Sequence, residues 1–113
     1  MKNSIIDWPL SIQLAGNNIN HAKEFLQLLA NDVSKQLETM RTLVKYGQKD
    51  QIKNELHKLL GGLSYSGAIR LKSATMAFHD AIKNNENILL CFLQFETETQ
   101  IFIEHVKNSF KYH

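Results

Sequence analysis

One cysteine, one proline, one tryptophan and five glycines occur in 113 residues. A single cysteine, Cys91, excludes an intramolecular disulfide, so the fold must hold by packing alone, as is usual where thiols stay reduced. With so little proline and glycine there is little to punctuate a chain of many short strands, and no alternating apolar run bounded by hairpin turns is present. No internal repeat or low-complexity tract interrupts the chain. No apolar run approaches the roughly 18 residues that span a bilayer. Asp7 and Pro9 break any apolar segment after Lys2, so the N-terminus is not a signal peptide. A net charge of +2 without a Lys/Arg-rich run argues against nucleic acid. There is no nucleophile elbow, P-loop or other Gly-rich phosphate cradle, which argues against a hydrolase or an autonomous kinase.

What remains is one domain over residues 1–113, long enough for a single core. Met1–Ile6 reads as a linker remnant. Asp7 is an N-cap, with Trp8 and Pro9 in the first turn of a short helix over Pro9–Ala15; Trp8 lies across a bundle end as part of a lid, or else marks a binding surface. Asn20 caps a helix of about 25 residues in which Ala22, Phe25, Leu26, Leu29, Val33, Leu37, Met40 and Val44 share a face. A helix beginning near Asp50 and ending near Ser64 carries the stripe Ile52, Leu56, Leu59, Leu63. After a tight connection at Tyr65-Ser66-Gly67, Ala68–Asn84 places Leu71, Ala74, Phe78, Ala81 and Ile82 inward. Ile88–Phe110 does the same with Phe92, Phe95, Thr99, Phe102, Ile103, Val106 and Phe110. The expected class is all-α: an antiparallel up-and-down four-helix bundle with a short N-terminal capping helix.

His57 falls roughly 130° from the centre of its helix's apolar stripe, so the imidazole faces solvent or a groove edge. Lys53, Leu60, Gly61 and Ser64 lie near it on the wheel. Gly61 and Gly62 each cost about 1 kcal/mol relative to alanine inside a helix. Gly61 keeps the imidazole open, or a neighbouring helix packs closely at Gly61 or Gly62, or the helix ends early. The five histidines, His21, His57, His79, His105 and His113, show no metal-ligand spacing, and Cys91 is distant from them in sequence. No metal site is expected, and Cys91 reads as a small core residue.

His57-x-Leu59-x-Gly61 followed by Gly67-Ala68-x-x-Leu71 closely resembles the signature of histidine-containing phosphotransfer (HPt) domains. The wider run His57-Lys58-Leu59-x-Gly61 through Tyr65-Ser66-Gly67, the Asp7-Trp8 opening and the length are most similar to the C-terminal HPt module of BarA/LetS-type hybrid sensor kinases of bacteria. The resemblance implies that His57 attacks through Nε2 and reversibly carries a phosphoryl group. The group would come from a receiver-domain aspartate and pass to a response regulator. It implies a phosphocarrier without kinase activity of its own and without a cofactor, the Mg²⁺ residing on the receiver. It also implies a cytoplasmic domain whose parent kinase is anchored in the inner membrane. Lys53, Lys58, Gly61, Ser64 and His79 would form the phosphate environment, and Leu60, Gly61 and Gly62 the docking patch. The chain departs from the family where Leu60 stands in place of a common lysine, Gly62 in place of serine or alanine, and His79 in place of a common glutamine. The alternative is a non-catalytic helical module for protein interaction.

Overall fold

The computed structural model describes residues 4–110, which form five α-helices and, among those residues, no strand. They are α1 (Trp8–Leu14), α2 (Ile19–Lys45), α3 (Lys49–Leu63), α4 (Ile69–Asn84) and α5 (Ile88–Ser109). The result is an all-helical bundle in which α2 packs on α3, α3 on α4, α4 on α5 and α5 back on α2, with α1 against α2.

Each long helix buries the stripe that its spacing demands. Leu26, Val33, Leu37 and Met40 of α2 meet Ile52, Leu56 and Leu63 of α3, Leu71 and Phe78 of α4, and Phe95, Phe102 and Val106 of α5 in one core. Phe78 lies at its centre, with ring centroids of Phe92 and Phe95 at 5.7 and 5.5 Å. Fully burying such a side chain is worth about 1.5–3 kcal/mol, so this core outweighs any single polar contact. Two buried hydroxyls break the apolar pattern without cost in unmet hydrogen bonds: Thr75 donates to Leu71 O and Thr99 to Phe95 O, both at 2.7 Å.

Polar clamps tie neighbouring helices at the rim. Arg70 donates from Nε and Nη2 to both oxygens of Glu98, at 3.0 and 2.9 Å, joining α4 to α5. Arg41 donates to Glu96 at 2.7 Å, joining α2 to α5, and also pairs with Glu38. The Glu96 hydrogen bond holds the Arg41 guanidinium above its ordinary pKa, and the Glu98 bond does the same for Arg70.

The ends are set by turns and by α1. Asp7 Oδ1 accepts from Leu10 N at 3.1 Å as the N-cap of α1. Trp8 lies edge-on to Phe110 at 5.8 Å between centroids. Asp7 N donates to Gly67 O at 2.8 Å, which pins α1 to the turn between α3 and α4. In that turn Ser66 Oγ donates to Leu63 O and accepts from Ala68 N, at 2.7 and 2.9 Å. At the other end Lys49 Nζ donates to Asn85 Oδ1 at 2.5 Å.

Several boundaries differ from the sequence expectation. Asn18, not Asn20, caps α2, because its Oδ1 accepts from His21 N at 3.0 Å. The linker reading fails at Ile6, which is 4 % exposed in the core, and Ile5 packs against it; Met1–Asn3 lie outside the described residues. In α4 the buried position is Thr75, while Ala74 is half-buried on the side of α5. In α5 Ile103 is half-buried, and Leu89 and Leu93 add an exposed apolar edge.

Gly67 has a φ of +75°, and a Cβ there would stand 2.8 Å from Asp7 O and 2.9 Å from Ser11 N. Both the left-handed backbone and the close approach of α1 require glycine. Gly67→Ala is therefore expected to cost more than about 2 kcal/mol, read as a lower urea midpoint; an unchanged midpoint would refute the pinning role of this contact.

Candidate functional site

α3 rotates to bury Ile52, Leu56, Leu59 and Leu63, each 4 % exposed or less. That rotation leaves His57 exposed. The two flanks of α3 are distinguishable. A Cβ on Gly62 would lie 3.8 Å from Leu29 Cδ1, so the Gly62 flank faces α2. His57 with Lys53, Leu60 and Ser64 occupies the other flank, the side of α4, by helical spacing.

α4 has two flanks of its own. Arg70, Ser73, Ala74 and Ala77 line a groove with Leu93, Thr97 and Glu98 of α5. Lys72, His79 and Lys83 lie on the opposite flank, toward α3. His57 and His79 therefore share the groove between α3 and α4, His57 exposed and His79 half-buried.

The expected phosphate environment divides on this geometry. Lys53, Leu60 and Ser64 stay beside His57. Ser64 Oγ donates to Leu60 O at 2.8 Å, so its proton is engaged within the helix and is not offered outward. Lys58 leaves the group: its Nζ is 3.7 Å from Glu55 Oε1, on the side of α3 toward α2. Gly62 also leaves, since it is half-buried against Leu29 and does not belong to an open patch with Leu60. Gly61 is open, with nothing within 4 Å of a Cβ built there. No neighbouring helix requires this glycine, so close packing does not account for Gly61.

Residues 72, 79 and 83 repeat at helical spacing on one flank of α4, and choosing between its flanks needs the partner helices, here given by Arg70–Glu98. Among the described residues no three His, Cys, Asp or Glu side chains converge as metal ligands.

Residues 24–108 match the Hpt domain family, and the chain belongs to it. Membership places the chain in phosphotransfer of two-component signalling, as a phosphocarrier and not a kinase; domains of this family work against receiver domains and response regulators. No curated protein and no solved structure matches the chain. No helix among the described residues is long and apolar enough to cross a membrane.

Because Gly61 has free space around it, Gly61→Ala should stabilise the helix by about 1 kcal/mol, raising Tm by roughly 4 °C, while slowing phosphoryl transfer. A variant that is more stable and fully active would remove the access role of Gly61.

Proposed function

We propose that His57 is the phosphoacceptor of a multistep phosphorelay. The observation that carries this reading is an exposed imidazole on a rigid, core-anchored helix, with open space one turn on at Gly61. Neutral imidazole attacks with Nε2 at the phosphorus of a receiver's aspartyl phosphate. The N–P bond forms as the acyl P–O bond breaks, and the aspartate leaves as carboxylate with the electron pair. The ring proton stays on Nδ1. Reversal of these steps onto a response regulator's aspartate completes the relay. Catalysis of this kind depends on in-line positioning and charge stabilisation, so Mg²⁺ bound in the receiver suffices and this chain needs no cofactor.

The arrangement we infer for the bundle is antiparallel and up-and-down, with α1 as its end cap. Support comes from both ends. Asp7 and Trp8 reach the α3–α4 turn and Phe110 after α5, and Lys49 at the start of α3 reaches Asn85 at the end of α4. In this register His57, eight residues from Lys49, lies level with Ala77, eight residues before Asn85. His79 is then within roughly 3 Å of that level along the axis. It takes the place of the family's polar residue opposite the phosphohistidine. Lys53 supplies positive charge from α3, and Leu60 with Gly61 meets the receiver.

The similarity of His57-Lys58-Leu59 through Gly67 to BarA/LetS-type modules favours a parent hybrid sensor kinase, cytoplasmic at this domain and anchored in the inner membrane of a bacterium. The competing reading, a bundle that only binds proteins, would need no open imidazole.

Incubation with a phosphorylated receiver domain tests the proposal. Acid-labile label should appear on the wild type and be absent from His57→Gln. Equal labelling of the two would exclude His57 as acceptor, and no label from any of several receivers would favour the interaction module.

A further inference from the structure

The site as described has an unsolved charge problem. A phosphohistidine adds negative charge at His57, yet the family's cation three residues on is Leu60 here, half-buried and apolar. Lys58 is turned toward Glu55. On α3 that leaves Lys53 alone beside His57, and further charge can come from the facing wall of the groove, α4.

α4 brings two candidates to the flank that faces α3, Lys72 and Lys83, and neither makes an ion pair among the described residues. They differ in height. With His57 level with Ala77, Lys72 lies five residues toward the α3–α4 turn, about 7.5 Å along the axis. Lys83 lies six residues toward the opposite end, about 9 Å away. Position alone does not separate them; side-chain direction does. Side chains on a helix lean toward its N-terminus. In an antiparallel pair His57 leans toward the start of α3, which is the end where Lys83 sits. Lys83 leans toward the start of α4, and so back toward His57. The long lysine stem and the imidazole therefore converge. Lys72 leans toward the turn while His57 leans away from it, and the two diverge.

A second feature agrees. Lys83 stands four residues after His79, and Lys53 four residues before His57, so each imidazole has a lysine one turn nearer the same end of the groove. The nearest carboxylates in sequence, Asp50, Glu55, Asp80 and Glu86, form no ion pair with Lys53 or Lys83, and Glu55 faces Lys58 instead.

We infer that Lys83, reaching across from the last turn of α4, contacts the phosphoryl group on His57 and supplies the charge stabilisation that Leu60 cannot. This rests on His57 being the acceptor. Lys83 is exposed, so its replacement leaves the core intact.

The test uses the whole chain with two donors: a phosphorylated receiver, and phosphoramidate, which labels histidine without a protein partner. Lys83→Gln should slow labelling at least tenfold with both donors and shorten the half-life of the label, at unchanged helicity and Tm. Lys83→Arg should restore both, and Lys72→Gln should stay within twofold of the wild type. A Lys83→Gln rate within twofold of the wild type overturns the inference. So does a loss seen with the receiver alone, which would make Lys83 a docking residue. If the wild type takes no more label than His57→Gln from either donor, the acceptor reading itself has failed and Lys83 falls with it.

Discussion

Four apolar side chains of α3, Ile52, Leu56, Leu59 and Leu63, lie in the core, and together they fix the rotation of that helix about its axis. At about 1.5–3 kcal/mol for each buried side chain, turning α3 by one residue's 100° would cost about as much as a small domain's whole stability margin. His57 is thereby held outside, Gly62 against Leu29, and the flank with Lys53, Leu60 and Ser64 against α4. The histidine needs no hydrogen bond to hold its backbone in place. Its position is a consequence of burial elsewhere on the same helix.

A carrier must present its imidazole to two partners in turn without rearranging. The bundle suits that task because strain and adaptation are confined to its ends. The left-handed residues Gly16, Asn17, Gly47, Gly67, Asn85 and Asn87 all sit between helices, while α3 is regular through His57 and both glycines. The cost of Gly61 and Gly62 in helix propensity is borne by the packed stripe, and only Gly61 leaves an opening.

Much of this was legible in the residues. Apolar spacing located all four long helices, Asp7 announced the first cap, and His57 stood out as a histidine off the stripe of its own helix. The differences are local. Asn18 and Asn20 are equally good caps by type, and only the bond to His21 N decides between them. Ile6 looked like linker because nothing local shows that α1 folds back over the bundle end. Closeness in sequence sets Lys58 and Gly62 beside His57, whereas both lie on the flank facing α2. Lys83 went unnoticed for the complementary reason: it is 26 positions from His57 in the chain and shares a groove with it only once α3 and α4 pair.

A phosphocarrier of this family holds its phosphate on one imidazole, and the chain has five to choose from. Mass-spectrometric mapping of the wild type after phosphorylation, under conditions that preserve the N–P bond, addresses that choice directly. Phosphate on His57 is the expected result. Phosphate on His79 would keep the groove and reverse the roles of its two histidines, and phosphate on His21 or His105 would contradict the site altogether.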